Sequence, residues 1–455
     1  MSATVLLLSL VAAEVGPPWS EEKVAARAVE VAPSLEAARA EVDETRGALS
    51  AAELGLVPNL ELSAGYRRID GFEDGSFPAP GGGQVAIEIP RDRWSAEARV
   101  EYSVVGALVR RLRLIEGARA RAQAQSLRAA EREAEVRLEA KRRWHHYLGA
   151  VRTASVAARS LALSEARLER IQARFDLGEA TAADLAGARS RREARAAEQV
   201  RARGRRAQAL ALLRSYLGVP DMTPEAPAEW RRLREAPGQG ASPRDLTRAA
   251  AAARPVLAAT EALVEAEQSD RAALWADILP DLRLSASYLQ ANPNPNRIPP
   301  RDRFDDSWTL GAEIVWSLER ALVGSARQKV RSAEATRLEA ERRDILRRLG
   351  EQIRVALVAL ESAAAVHRAS LARVEAAEER FRAHAAAYRV GRITLDALLD
   401  ADVELAQAHL EVVSATVDHH LARARLERIL TGLDSTVSSR GGGTAAAARR
   451  RTRAR

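Results

Sequence analysis

Two ten-residue stretches, VPNLELSAGY at residues 57–66 and LPDLRLSASY at residues 279–288, define the organisation of this chain. Both alternate apolar and polar side chains with a period of two, which is typical of a β-strand with one apolar face. Two proline-containing segments, residues 32–35 and 254–257, lie upstream of them at the same spacing. Because the same features recur in the same order, we predict that the chain contains two copies of one structural unit.

Two further segments, residues 94–102 and 308–316, continue the period-two pattern after the intervening loops. Each of the four segments has a wholly apolar face and a mostly polar face. The aromatic residues at the ends of the apolar faces are Tyr66, Trp94, Tyr102, Tyr288, Trp308 and Trp316. This pattern is typical of a membrane β-barrel with aromatic girdles at both interfaces. A soluble sheet half covered by helices explains the girdles less well.

Four strands are too few to close a membrane barrel, because such barrels have at least about eight strands. An open strand edge in lipid leaves backbone N–H and C=O groups without partners. We therefore expect the strands of two, three or four chains to form one barrel. The loops at residues 68–93 and 289–307, rich in Pro, Gly and Asn, would lie outside.

The remainder of the chain predicts long helices, because apolar residues recur at heptad-like spacing among many Glu and Arg residues. The predicted helices cover residues 22–56, 106–176, 180–216, 244–278, 320–389 and 395–430. The longest of them would extend about 105 Å at 1.5 Å per residue, with two shorter helices stacked end to end beside it. The predicted fold is mainly α with a small β part, built as a duplicated strand-hairpin and long-helix repeat.

Five segments follow from these patterns. They are a predicted signal peptide (1–18), a first repeat (19–218), a Pro-rich linker (219–243), a second repeat (244–432) and a disordered basic tail (433–455). The apolar run at residues 5–13 has the length of a signal-peptide core, although no Lys or Arg precedes it. The alternative is a frayed start to the first helix. No segment offers 18 uncharged apolar residues, so we expect no membrane-spanning helix.

The composition argues against catalysis and against a protein that binds nucleic acid. The 455 residues contain no cysteine, which excludes disulfides, thiolate metal sites and cysteine nucleophiles. Six arginines lie in residues 440–455, and without them the net charge of +8 falls to +2. Neither a phosphate-binding loop nor a Ser-His-Asp arrangement is present. We predict no enzyme activity and no cofactor.

The paired histidines at residues 145–146 and 419–420 are poor candidates for a metal site. Adjacent residues of a helix point about 100° apart, whereas chelating pairs favour a spacing of four. We therefore predict surface or packed histidines and no bound metal.

Two turn sequences, FDLGEATAADL at residues 175–185 and YRVGRITLDALLDA at residues 388–401, complete the duplicated pattern. Together with the strands they resemble the TolC-like outer-membrane efflux proteins over about residues 20–432. The resemblance implies a homotrimer with a twelve-stranded barrel in outer-membrane lipid and an α-helical barrel in the periplasm. It implies a periplasmic adaptor and an inner-membrane pump as partners. The turn residues that would meet the adaptor are Gly178, Thr181, Gly391 and Thr394.

The resemblance also implies a gate at the inner end of the tunnel. Asp400 falls on one position of an aspartate ring that some family members have, while the other falls on Ala397, one place after Asp396. Tyr388 and Asp184 match a Tyr–Asp link between the two turns that holds some members closed. An arginine that adds to this link is replaced here by Ile393, which predicts a weaker link.

The implied function is that of an outer-membrane exit duct. It would serve a tripartite efflux pump or a type I secretion system and conduct substrates passively. The alternative from a different class is a soluble coiled-coil scaffold that binds nucleic acid through its basic tail.

Overall fold

A computed structural model describes residues 19–70, 75–78, 84–87, 90–227, 230, 232–233, 240–297 and 301–430. The predicted signal peptide and basic tail lie outside these residues. The fold is mainly helical with a small antiparallel sheet, as predicted.

Both halves of the chain share one order of main elements, namely two helices, two long strands and two long helices, and each half adds short elements of its own. The first half contains α1 (Glu21–Val31), α2 (Pro33–Leu54), β1 (Asn59–Arg68), β2 (Gly75–Pro78), β3 (Gln84–Ile87), β4 (Asp92–Ser103), a π-helical turn (Gly106–Arg111), α3 (Leu112–Asp176) and α4 (Ala182–Leu217). The second half contains α5 (Pro243–Ala253), α6 (Pro255–Ala273), α7 (Trp275–Ile278), β5 (Asp281–Asn292), β6 (Asp305–Val315), α8 (Leu318–Arg389) and α9 (Leu395–Ile429).

Two of the predicted helices are interrupted, at Pro33 and at Pro255. Proline has no N–H to donate and disfavours helical geometry in the residue before it. Ala32 and Arg254 accordingly adopt extended backbone with ψ of 115° and 120°. The single helices predicted for 22–56 and 244–278 are therefore α1 with α2, and α5 with α6 and α7.

The sheet has the strand order β1-β4-β5-β6, with all neighbours antiparallel. The register pairs Tyr66 with Trp94 and Tyr288 with Trp308, so the apolar faces of the four strands coincide. The loop predicted for 68–93 also contains the short hairpin β2–β3. Trp316 lies one residue beyond β6 rather than within it, and its Nε1 donates to the Ile278 carbonyl at 3.1 Å.

The apolar face of the sheet is largely uncovered in the single chain. Leu62, Leu310 and Ile314 are 73%, 71% and 75% exposed. Among the described strands, β1 and β6 each pair on one side only. The chain alone thus leaves both an apolar surface and two backbone edges without partners.

The chain divides into two compact units, and each takes segments from both repeats. The unit of residues 39–128 and 256–344 carries the sheet and the adjoining helical segments. There, Arg121 pairs with Asp270, and Arg331 lies 2.9 Å from Glu267. Alanines such as Ala124, Ala259 and Ala262 pack together, which allows these helices to approach closely.

The other unit packs α1, α3 and α4 around a core that contains Trp144, Tyr147 and Leu217. The described part of the Pro-rich linker is packed against this core, whereas the sequence indicated only a connection. The Tyr147 hydroxyl donates to the Pro224 carbonyl at 2.8 Å, and Trp230 is buried in the same cluster. The linker therefore contributes to the core of this unit.

Two buried histidines hold Trp230 in place. The rings of His145 and His420 stack with centroids 4.6 Å apart. Trp230 Nε1 donates to His145 Nδ1 at 3.2 Å, and His420 Nε2 donates to the Trp230 carbonyl at 2.9 Å. His145 Nδ1 accepts in this contact and therefore carries no proton itself. His420 must carry a proton on Nε2.

The electrostatics of this core depend on pH. Burial lowers the pKa of His420 to about 4. Burial opposes ionisation of Glu21, but His145, Lys141 and Arg423 outweigh it and lower the pKa of Glu21 to about 2.

Within the described residues, no three His, Cys, Asp or Glu side chains are grouped to hold a metal ion.

Among the helices in the described part of the chain, α8 alone is long and apolar enough to cross a membrane by length and composition. The prediction of no membrane-spanning helix required 18 uncharged apolar residues, and no segment of the sequence has them. A criterion of mean hydropathy is less strict, because it tolerates a few charged residues. Core helices of soluble proteins pass the same test. The apolar side chains Val355, Val358 and Val366 are exposed on α8, so the single chain leaves this surface open for packing.

We expect the thermal midpoint to fall as the pH is lowered from about 6.5 to 4. The unfolded His420 binds a proton near its ordinary pKa of 6.5, whereas the folded residue resists protonation until about 4. Below about 4.5, Glu21 adds a second loss, since its folded pKa is about 2. Circular dichroism melts at several pH values measure this.

His420→Gln is the matched variant, because its amide can still donate to Trp230 but does not titrate. It should show a smaller decrease between pH 6.5 and 4 than the parent chain. An identical decrease in both proteins would contradict the role assigned to His420.

Candidate functional site

The two turns that join the long helices have the same backbone design. Gly178 and Gly391 adopt φ of +74° and +72°, the left-handed region in which many helices end. Glu179 N–H donates to the Arg174 carbonyl at 2.8 Å, and Arg392 N–H donates to the Ala387 carbonyl at 2.9 Å. These bonds form a Schellman motif at each helix end. We call residues 177–181 and 390–394 the tip turns.

The predicted threonines begin the following helices. Thr181 Oγ1 accepts from the Asp184 N–H at 3.1 Å, and Asp184 Oδ2 accepts from the Thr181 N–H at 2.9 Å. This capping box holds the pKa of the Asp184 carboxyl below its usual value. Thr394 Oγ1 accepts from the Ala397 N–H at 3.4 Å. Ala397 has no side-chain oxygen that could accept from the Thr394 N–H, so the second bond of a capping box is missing. The second tip turn is therefore held by fewer hydrogen bonds.

Tyr388 has a different partner from the one predicted. Arg174 Nη1 donates to the Tyr388 hydroxyl at 3.1 Å, and its guanidinium lies 5.7 Å from the centre of the ring. Asp184 does not reach Tyr388 within this chain, because its carboxylate caps α4. Arg174, at the end of α3, is thus the arginine that bonds Tyr388 in this chain, and Ile393 supplies no donor.

The predicted aspartates lie near the start of α9. Asp396 is highly exposed and lies 3.2 Å from Arg191 Nη2, while Asp400 is exposed one helical turn later. Residues four apart share a helix face, so the two carboxylates can form neighbouring rings if copies of the chain surround an axis. Asp402 differs from both, since it is buried and lies 2.9 Å from Arg167 Nη1.

A cleft of about 590 Å³ lies beside Tyr388, between the ends of α3 and α8 and the start of α9. Its charged lining residues are Arg167, Arg170, Arg174, Glu179 and Arg389. Phe381 and Tyr388 form aromatic walls, and the Arg167 guanidinium lies 5.0 Å from the Phe381 ring centre. The surroundings of Tyr388 are therefore strongly basic.

The sequence pattern did not single out Leu177 and Val390, the residues before the two turn glycines. They are 75% and 68% exposed, respectively. An apolar residue at the last exposed position before a Gly turn is the signal that could have identified them. Each tip turn thus presents one uncovered aliphatic side chain.

The predicted aromatic residues occupy the two ends of the sheet. Tyr66, Trp94, Tyr288 and Trp308 lie at the loop end, and Tyr102 and Trp316 lie at the helix end. The Tyr66 and Trp94 rings are 4.5 Å apart, and the Tyr66 hydroxyl donates to Asp92 at 2.7 Å. The opposite face of the sheet carries Glu61, Arg99 and other polar residues in register.

Each half of the chain joins one pair of long strands to one pair of long helices. This duplicated arrangement defines a TolC-like outer-membrane channel fold. Among solved structures, the CusC channel superimposes with a TM-score of 0.74 at 15% identity, covering 90% of this chain and 92% of that chain. The MtrE channel of Neisseria gonorrhoeae gives 0.73 at 17%, covering 90% and 89%. The CmeC channel of Campylobacter jejuni gives 0.72 at 14%, covering 90% and 85%.

The sequence comparisons agree with the fold. Residues 246–432, most of the second repeat, match the outer membrane efflux protein family. No characterised protein matches the sequence significantly. The second half thus carries the sequence pattern of this family, and both halves together have the fold of the solved outer-membrane channels.

We expect Gly391→Ala to loosen the second tip turn. A Cβ at Gly391 meets nothing within 4 Å, so the cost is backbone strain alone, about 1–2 kcal/mol for a left-handed residue. Gly187→Ala is the control, because that site is equally open and helical, and the change should stabilise α4 by about 1 kcal/mol.

Hydrogen–deuterium exchange of the backbone amides in residues 388–398 measures the effect. Gly391→Ala should raise exchange there and Gly187→Ala should not. Unchanged exchange in Gly391→Ala would show that the positive φ carries no strain.

Proposed function

We propose that this chain is the outer-membrane exit duct of a tripartite efflux pump or a type I secretion system, assembled as a homotrimer. The observation that carries the proposal is the sheet, which exposes an entire apolar face and two unpaired edges. The match of residues 246–432 to the outer membrane efflux protein family supports it.

The sheet dictates the assembly. Within a bilayer, every backbone N–H and C=O group must find a partner, so an open four-stranded sheet is not stable there. If β6 of one chain pairs with β1 of the next, three chains give a closed barrel of twelve strands. The apolar face, with Leu62 and Leu310, would then contact lipid, and the polar face would line the water-filled interior.

The helices offer matching surfaces for neighbouring copies. Val355, Val358 and Val366 are exposed along α8, and Val200 and Leu212 are exposed along α4. Burying such side chains stabilises an assembly by about 1.5–3 kcal/mol for each fully buried residue. Packing α8 of one copy beside α4 of the next would enclose a periplasmic tunnel.

The tip turns are suited to meet an adaptor protein. Leu177 and Val390 are exposed there, and the capped turns hold them in a defined geometry. An adaptor and an inner-membrane pump would supply the energy, because the duct itself only provides an aqueous path. Exposure of so large an apolar sheet argues against the alternative of a soluble, nucleic-acid-binding scaffold.

The gate at the inner end would be held by Arg174 and Tyr388. Their hydrogen bond joins the end of α3 to the end of α8, so it resists separation of the two helix pairs. Asp400 would narrow the path as a ring of carboxylates that favours cations. Adaptor binding would open the gate if it stabilised the separated helices more than the closed ones.

We expect Tyr388→Phe to raise single-channel conductance in planar bilayers. The change removes the hydroxyl that accepts from Arg174 and keeps the ring, which costs the closed state about 0.5–1.5 kcal/mol per chain. Arg170→Gln is the control, because Arg170 Nε donates to the Ala166 carbonyl of its own helix rather than across the gate. Equal conductance in the parent and Tyr388→Phe would remove Tyr388 from the gate.

The direct test of the proposed function places a charge on the lipid face. Leu62→Arg should reduce the yield of heat-modifiable trimer in outer-membrane extracts, because a cation near mid-bilayer costs roughly 2–4 kcal/mol per chain. Glu61→Gln, the adjacent residue on the polar face, should leave the yield unchanged. If the two variants assemble equally well, the face assigned to lipid is wrong.

A further inference from the structure

The polar face of the sheet separates its charges along the strands. Toward the helix end it carries Glu61, Glu97, Glu101 and Glu313 against Arg99 and Arg283. Toward the loop end it carries Arg67 and Arg93. The register places Arg67 directly opposite Arg93 on the neighbouring strand. Acidic charge thus predominates at one end of this face and basic charge at the other.

Two like charges at directly opposite positions of a sheet repel, because their Cβ atoms lie about 4.5–5.5 Å apart. Arg67 and Arg93 are both exposed, and no acidic side chain among the described residues pairs with either. The next acid on the same face of β4, Glu97, is bound to Arg99 at 2.8 Å. Within the described part of the chain, the arginine pair therefore carries two positive charges with no paired carboxylate.

Three of the described carboxylates near this end pair with other arginines. Asp92 and Asp70 lie 3.8 Å and 3.6 Å from Arg68, whose side chain belongs to the apolar face. Asp305, at the loop end of β6, is buried and lies 2.9 Å from Arg303. These carboxylates thus pair with Arg68 and Arg303, and none of them pairs with Arg67 or Arg93.

We propose that Arg67 and Arg93 form a binding site for anionic groups, carboxylate or phosphate, of cargo leaving through the outer mouth of the duct. The inference rests on the proposed function, because it takes the polar face as the interior of a barrel. In a trimer, six guanidinium groups would then surround the exit. Guanidinium groups bind carboxylate and phosphate through charge-assisted hydrogen bonds.

The charge gradient gives this site a direction. A negatively charged group that has passed the acidic residues near the helix end is attracted toward the basic end. Because the arginines are exposed rather than buried, water weakens each contact, so release remains fast. The site would favour anionic over cationic cargo at the final step of export.

The test measures block of single-channel current by inorganic tripolyphosphate, added to each side in turn, in bilayers of neutral phosphatidylcholine. The parent channel should be blocked at a lower concentration from one side. In the Arg67→Gln/Arg93→Gln variant, the blocking concentration on that side should rise on the order of tenfold, equivalent to about 1.4 kcal/mol. Each single variant should give an intermediate value.

Arg68→Gln is the matched control, since Arg68 is the adjacent residue, lies on the apolar face and already has acidic partners. It should keep the side-dependent block of the parent. Assembly of the double variant is not at risk from lost attraction, because the substitution removes a repulsion.

Three outcomes would overturn the inference. Equal block of parent and double variant would show that the arginines bind no anion in the interior. An effect of the double variant that appears only when lipopolysaccharide is added would assign them to lipid phosphate instead. If the parent forms trimers and channels, these outcomes leave the proposed function intact, whereas a parent that forms no channel overturns both.

Discussion

The structure depends on the requirement that every strand edge in a membrane be paired. The chain supplies four strands whose apolar faces coincide, yet β1 and β6 each lack one neighbour. Backbone groups at those edges cost several kcal/mol each if they enter hydrocarbon unpaired. In the proposed function, assembly is therefore a condition for membrane insertion rather than a later addition. The exposed valines of α8 fit the same requirement, since they would be covered by the same neighbours.

In the helical unit, turn residues and polar contacts fix the ends of the long helices and the linker. At the tip turns, glycines with positive φ and threonine caps fix the ends of the long helices. The basic cleft near Tyr388 places Arg174 where its guanidinium can tie α3 to α8. Elsewhere, the linker residue Trp230 is held by His145 and His420, so a connecting segment becomes part of a core. The contacts of Tyr388 and Trp230 thus join residues from distant parts of the chain.

Local periodicity was sufficient to predict the strands and the long helices, because each depends on residues a few positions away in the sequence. The breaks at Pro33 and Pro255 could also have been predicted, since proline acts on its own backbone. The partner of Tyr388 was not predictable, because Arg174 lies 214 positions away in the sequence and the expected partner, Asp184, caps α4 instead. The burial of Trp230 escaped prediction for the same reason. The β2–β3 hairpin was missed because Pro and Gly residues obscure its short strands.

The measurement that tests the central claim most directly is cross-linking between β1 and β6. The chain has no cysteine, so Ser63→Cys can be combined with a cysteine at Ser307, Thr309 or Gly311 and treated with a short bifunctional maleimide. Ser63→Cys with Glu97→Cys is the control, because these residues are register partners within one chain. Closure of a shared barrel predicts covalent dimers and trimers for at least one β1–β6 pair, and monomers for the control. Efficient linkage in the control with monomers at all three β1–β6 pairs would contradict it.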